Sequence, residues 1–517
     1  MLGTINTTMP RLPRSVLAGL ALLAVCRLAL ASHLPLGDDE TYYWEWSRHL
    51  AAGYVDHPPA IAFLVWTATR LLGVSPFALH SMAVLLSFVT SLGVWVLARE
   101  ILGDDTGATW SVILFAVIPV FSAGAMLAVP DAPLGVCWVF TLLWAWRAAQ
   151  APVGARAAGR RWLAAGLWLG LGLLSKYTAV LLPLGIGAWL VLSPDRRPWL
   201  RRSEPYQGLM LAALLFMPVV WWNARHHWAS LTFTVVRQPD WSGGGNFPVF
   251  LLLQLAYLAP FMFPALLWAV GVATRRGLGA ALAPGPPGTG PGAGGWLFLA
   301  ATSVPVIAGM LAASAFAHIK GHWPAPGYVT AAIALAGIAI EHPWRARSVA
   351  WKAAAAGVLA TTALTTVLIY ALPEAAPVLL PPRLDPTVDY YGWPAAAPRI
   401  AAVAQRDARG PFFITSDRYQ VLAQFDFATG GRYPARTIIG VDEYGIWTRW
   451  PELRGEDALF IQDGRYPLDV DLSKGCRGLQ AEPAVPIVRR GVLVRSLGLV
   501  WCRGFLGHPI APRAPLR

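Results

Sequence analysis

Apolar runs long enough to cross ~30 Å of hydrocarbon recur near residues 15–33, 77–98, 107–127, 132–149, 162–175, 177–193, 207–222, 248–271, 296–316, 324–341 and 353–372. The pattern predicts an all-α polytopic membrane bundle of about eleven transmembrane helices, the two flanking Lys176 being short. The first run follows Arg11 and Arg14 and lacks a small-residue cleavage site, so it reads as a retained helix rather than a removed signal. An odd number of spans puts the termini on opposite sides of the membrane. If the runs alternate, one side collects Arg11, Arg14, Arg99, Arg147, the arginines between 156 and 202, Arg275, Arg276, Arg345, Arg347 and Lys352. The other short loops hold Arg48, Arg70, Lys176, Arg225, Arg237 and Lys320. The positive-inside rule makes the first set cytoplasmic, which predicts a cytoplasmic N-terminus and a periplasmic C-terminal region.

The pattern changes after the Pro-rich segment Pro373–Pro394. A transmembrane module over residues 1–372, with a first outer loop at 34–76, gives way to a small α/β domain over 373–517. PFFITSD, ARTIIG, DALFIQD and the pair VPIVRR and VLVRSL around Gly491 read as strands, and Ala397–Arg409 as a helix. The Gly- and Pro-rich stretch Gly277–Gly295 reads as a flexible linker that holds no helix. No short fixed period is visible, which disfavours solenoids and propellers.

Composition agrees with a lipid solvent. The 517 residues are 56% hydrophobic and 13% charged, with a mean hydropathy of +0.49, whereas soluble domains carry charge on about a quarter of their residues. The net charge of +13 does not indicate nucleic acid, because the arginine clusters fall between apolar runs, as in cytoplasmic loops. The 25 Trp suit interfacial belts. Cys26 and Cys137 lie inside apolar runs, while Cys476 and Cys502 are able to pair if their region is extracytoplasmic.

The first outer loop concentrates acid: Asp38, Asp39, Glu40, Glu45 and Asp56. Three consecutive carboxylates repel one another unless they meet a cation, donors or water; a helix cap and a catalytic site both fit. In YVDHPP, two prolines hold Asp56 and His57 in a fixed turn, which suits a metal or phosphate contact as well as a hydrogen-bonded histidine. Lys176 between two apolar half-runs needs an anion or a route to the interface. His226 and His227 follow Trp221, Trp222 and Asn223 at a helix exit. Asp131 sits where a cap belongs, and Lys320, His322 and Trp323 form a last outer-loop group.

The stretch GDDETYYWEWSRHLAAGYVDHPP resembles the first periplasmic loop of lipid-carrier-dependent glycosyltransferases with the GT-C fold. The branch is that of bacterial protein O-mannosyltransferases and the lipid A aminoarabinose and galacturonic acid transferases. Similar blocks follow in order: VPDAPL (129–134), GLLSKYTAVLLP (172–183), PVVWWNARHHWAS (218–230) and KGHWPAPGY (320–328). The resemblance implies Asp39 and Glu40 as the catalytic acid pair, with Asp39 the base on an acceptor hydroxyl and Asp38 an extra acid. It implies donor-phosphate or substrate contacts at Asp38, Tyr43, Asp56, His57, Asp131, Lys176, Arg225, His226, Lys320 and His322. Where aminoarabinose transferases have acid, lysine, proline, this chain has Asp56, His57, Pro58.

This reading fixes no cofactor and leaves metal dependence open, with Asp56 and His226 or His227 the candidate ligands of a divalent metal ion. The expected partners are a polyprenyl-phosphate sugar donor, a lipid, glycan or protein acceptor and the membrane, with no nucleic acid. The expected function is an inverting glycosyltransferase at the periplasmic face of the inner membrane. A lipid-linked sugar transporter or flippase, which would place ionisable groups near the bilayer midplane, and a non-catalytic scaffold are the competing classes.

Overall fold

The computed structural model describes residues 12–237, 244–282, 292–341, 348–381, 385, 387–440, 442–468 and 470–511. Arg11, Arg345, Arg347, the Ala283–Pro291 part of the predicted linker, and Pro382, Arg383, Leu384 and Pro386 of the Pro-rich boundary lie outside them. The linker's two flanks belong to the helices Met262–Leu282 and Ala293–Ala313, so the expectation of no helix there is corrected.

The expectation of about eleven spans is also corrected. Among the described residues six helices are long and apolar enough to cross a membrane: Arg14–Ala31, Pro76–Leu102, Asp131–Gln150, Glu204–Arg225, Gly294–Ala313 and Val349–Ala376. The bent pair Phe247–Leu258 and Met262–Leu282 would make a seventh. Apolar composition runs on through places where the backbone turns. The run at 107–127 divides between Asp105–Val117 and Pro119–Gly124, because Pro119 cannot continue the first helix. The run at 248–271 bends by 96° at Ala259, whose φ of 74° is a left-handed value that L-residues rarely adopt. Ala325–Ile340 and Tyr177–Leu192 remain short apolar helices. Arg156–Ser175 has the length, but begins with Arg156, Arg160 and Arg161. With the count of eleven falls the odd-number argument for termini on opposite sides.

The chain divides into two compact units. The first comprises residues 1–31, 57–60 and 80–369. Its core is built of residues such as Trp95, Trp138, Trp146, Trp189 and Phe298. Close helix approach depends on missing side chains: a Cβ on Gly166 would lie 2.1 Å from the Gly208 carbonyl oxygen, so Arg156–Ser175 and Glu204–Arg225 touch backbone to backbone, as small residues permit in membranes. Leu22, Val25, Leu214, Val367 and Leu368 stay exposed on candidate spans, as a lipid solvent allows.

The second unit comprises residues 32–56, 61–79 and 370–517. It holds a four-stranded sheet of order β1-β2-β4-β3, with β1 Phe412–Thr415, β2 Asp457–Asp463, β3 Cys476–Arg489 and β4 Val492–Phe505. β1 and β2 are parallel and therefore need a crossover, which includes the helix Tyr419–Thr429. β3 and β4 form a hairpin in which Arg489 pairs with Val492. Arg490 and Gly491 both have positive φ, at 50° and 80°, the two-residue turn that matches strand twist. Four of the predicted strand runs are found; ARTIIG contributes only an isolated bridge from Ala435 to Ile414. The expected helix at Ala397–Arg409 occupies Trp393–Asp407. Cys476 and Cys502 form a disulfide.

Candidate active site

In the first unit, a short connection between Asp131–Gln150 and Arg156–Ser175 returns the chain, so the start of one twenty-residue helix lies beside the end of the other. Asp131 and Lys176 occupy those two ends. Lys176 is the extended residue that closes Arg156–Ser175, and its Nζ donates to both Asp131 carboxylate oxygens at 2.8 and 2.7 Å. The lysine side chain is 7% exposed and that of Asp131 32%. His57, Lys320 and His322 lie within electrostatic reach of this pair. Burial, followed by the Lys176 charge, pushes the His57 imidazole down to about 3. The same two causes, in the same order, bring His322 to about 4. Both histidines are therefore neutral at physiological pH, and Lys176 and Lys320 carry the positive charge.

The loop bearing Lys320 and His322 is pinned from the Phe247–Leu258 helix and the residue before it. Asn246 exchanges two hydrogen bonds of 3.0 Å with the Ile319 backbone. Gln254 Nε2 donates to the Gly321 carbonyl at 2.8 Å, and Tyr328 Oη donates to Gln254 Oε1 at 3.0 Å. Sequence reasoning missed Gln254; its signal was an amide alone in the apolar run FPVFLLLQLAYL. Arg225 and His226 take local partners instead. Arg225 is exposed and stacks its guanidinium over Trp221 at 4.3 Å. His226 lies on the Trp222 ring at 4.2 Å, with Nδ1 donating to the Trp222 carbonyl. His227 adopts a φ of 54° in the turn.

In the second unit, the acidic loop begins with the helix Asp38–Arg48. Its first turn carries all three consecutive acids, where the helix dipole favours them. Glu40 is buried and turns back to accept the Gly37 N–H at 2.9 Å, which is a capping role. Asp38 and Asp39 point elsewhere. Gln424 Nε2 donates to Asp38 Oδ1 at 2.9 Å, and Tyr419 Oη donates to Asp39 Oδ1 at 3.1 Å. Burial first, then the neighbouring Asp389, raises Asp38 to about 7. Asp39 is exposed.

Arg48 at the far end of the acid helix binds Glu45 at 2.7 Å and Asp426 at 2.6 Å. Thus Tyr419, Gln424 and Asp426, all on one helix of the C-terminal region, each hold a residue of the acid helix. Tyr43 packs edge-on against Trp46. Asp56 contributes to the electrostatic surroundings of Tyr42 and Tyr419, so the two acidic blocks of the first loop converge around those phenols. None of the three C-terminal residues was singled out from sequence, since their partners lie more than 370 positions away. Among the described residues no group of three or more His, Cys, Asp or Glu has the arrangement to hold a metal ion.

Comparison with known proteins adds kinship to this geometry. The family described as dolichyl-phosphate-mannose-protein mannosyltransferase matches residues 56–222. Lipid A galacturonosyltransferase RgtD of Rhizobium johnstonii is 26% identical over 245 residues, 45% of this chain and 48% of the relative. Lipopolysaccharide core galacturonosyltransferase RgtA of the same organism is 29% identical over 211 residues, 39% of this chain and 40% of the relative. The matched region thus spans half or less of these relatives. In fold, the chain resembles ArnT from Cupriavidus metallidurans, with a TM-score of 0.62 at 15% identity, over 94% of this chain and 98% of that one. The same protein bound to undecaprenyl phosphate gives a TM-score of 0.60 at 16% identity, over 94% and 97% of the two chains.

Proposed function

We propose that this chain, a relative of the GT-C-fold glycosyltransferases that use lipid carriers, moves a sugar from a polyprenyl phosphate to an acceptor hydroxyl. The observation that carries the reading is the convergence of His57, Asp131, Lys176, Lys320 and His322 from four separate segments into one cation-bearing cluster. Such a cluster suits a departing lipid phosphate, whose charge must be met as the glycosidic bond breaks. Lys176 and Lys320 supply that charge, Asp131 holds Lys176 in place, and the neutral imidazoles offer N–H groups.

On the acceptor side, Asp39 takes the hydroxyl proton while the oxygen attacks the anomeric carbon. One positioned base contributes about 10²- to 10⁴-fold in rate. A single displacement of this kind inverts the anomeric centre. The arginines at the end of the Asp131–Gln150 span and at the start of Arg156–Ser175 favour a cytoplasmic connection there, and so a periplasmic Asp131 and a site at the periplasmic face of an inner membrane. The acceptors of the two galacturonosyltransferase relatives favour an envelope lipid over a protein. Asp38 as the base is a second reading, favoured by its burial-raised proton affinity near 7, close to the operating pH that a general base needs.

The test is mass spectrometry of envelope lipids, glycans and glycoproteins from cells lacking the gene, complemented with the wild type, D39N or D38N. The expected result is one product short by a single sugar, restored by the wild type and not by D39N. Restoration by D39N but not D38N transfers the role to Asp38, and envelopes indistinguishable with and without the gene contradict glycosyl transfer.

A further inference from the structure

The Tyr419–Thr429 helix begins with a phenol that touches the proposed base. We infer that Tyr419 is a positioning residue for Asp39, so that the C-terminal region supplies part of the catalytic apparatus; this rests on the reading of Asp39 as the base.

An exposed carboxylate in the first turn of a helix is free to rotate, and a rotating base presents its lone pairs to an acceptor only part of the time. Tyr419 Oη donates to Asp39 Oδ1 at 3.1 Å, which restricts that rotation and leaves Oδ2 for the acceptor hydroxyl. The phenol is itself held. Its ring stacks on Tyr42 at a centroid distance of 4.2 Å, and Tyr42 is 1% exposed and belongs to the same acid helix. Tyr42 Oη in turn accepts the Glu443 N–H at 3.0 Å, and the Glu443 carboxylate accepts the Val55 N–H. The helix that positions Tyr419 also places Gln424 on Asp38 and Asp426 on Arg48.

Burial and the neighbouring charges of Asp39 and Asp56 keep the phenol protonated, so Tyr419 stays a donor throughout. In the step itself the acceptor proton passes to Asp39 Oδ2, the acceptor oxygen bonds to the anomeric carbon, and the bond to the carrier phosphate breaks with its electron pair. Tyr419 keeps its own proton.

The test uses the full-length protein in lipid nanodiscs with a polyprenyl-phosphate sugar and an envelope-lipid acceptor, comparing wild type, Tyr419→Phe, Asp39→Asn and the double variant. Phe preserves the ring stack on Tyr42, so thermal unfolding should match the wild type. The expected result is a kcat about 10- to 100-fold lower in Y419F, the scale of one hydrogen bond to a charged group, with KM for the donor unchanged. The double variant should be no slower than D39N. D39N inactive with Y419F unchanged in kcat overturns this inference alone. A loss in Y419F confined to KM or stability overturns it too. D39N turning over at the wild-type rate removes the base reading and this one with it.

Discussion

Replacing Lys176 with Met removes one partner of the Lys176–Asp131 pair while keeping the length of the side chain. The ammonium lies 2.8 and 2.7 Å from the two carboxylate oxygens, with 7% of the lysine and 32% of the aspartate side chain exposed. Breaking a fully buried pair costs about 3–5 kcal/mol and a surface pair about 0–1. Partial access of water to Asp131 puts this pair between them, at about 2–3 kcal/mol. Equilibrium unfolding in detergent titrated with SDS measures it. K176M should lose that amount, and K176M/D131N should regain most of it, since no uncompensated charge is left behind. Glycosyl transfer separates structure from function: the double variant should stay inactive, because the cation that meets the lipid phosphate is still missing. K176M as stable as the wild type would refute the buried-pair reasoning. Recovery of transfer in the double variant would refute the role given to the ammonium.

Three further outcomes follow from the structure. Gly166→Ala would drive a Cβ to 2.1 Å from the Gly208 carbonyl oxygen and should cost about 1–3 kcal/mol or more in the same unfolding assay; a neutral variant would mean the two helices do not meet there. Replacing Cys476 and Cys502 with Ala should destabilise the sheet by about 3.5 kcal/mol, the loop-closure scale for their separation of 26 residues, and reduction of the wild type should give the same shift. Asp38 holds a proton up to about 7 in the folded chain against 3.8 as its ordinary value. Between those pH values the folded state binds more protons than the unfolded one, so this group's contribution to stability falls as pH rises from about 4 through about 7. D38N should flatten that part of the pH–stability curve, and an unchanged slope would show that Asp38 is ordinary.

Chemistry was more legible in the sequence than geometry. Of the residues placed in the outer loops by their polarity, His57, Asp131, Lys176, Lys320 and His322 lie within electrostatic reach of one another, since charged groups among apolar runs have few places to go, whereas Arg225 and His226 take local aromatic partners. The β3–β4 hairpin was legible from its two strand runs around Gly491. Span counting failed where hydropathy sums composition without seeing the turns at Pro119 and Ala259. Asp39 and Glu40 were read together as an acid pair with Asp39 the base, and one more position along the helix brings the Glu40 side chain back to the Gly37 N–H. Tyr419, Gln424 and Asp426 were invisible because a contact across more than 370 residues leaves no local pattern.

In the proposed reaction a carboxylate just after the first helix takes the acceptor's proton as the sugar leaves its lipid phosphate. Reconstituted protein given a polyprenyl phosphate carrying a radiolabelled sugar, with acceptor lipid extracted from the gene-deleted cells, tests it directly. Wild type should release one polyprenyl phosphate for each sugar transferred, while D39N still binds the donor but transfers about 10²- to 10⁴-fold more slowly. Transfer by D39N at the wild-type rate, or label that stays on its carrier in the wild type, would contradict it.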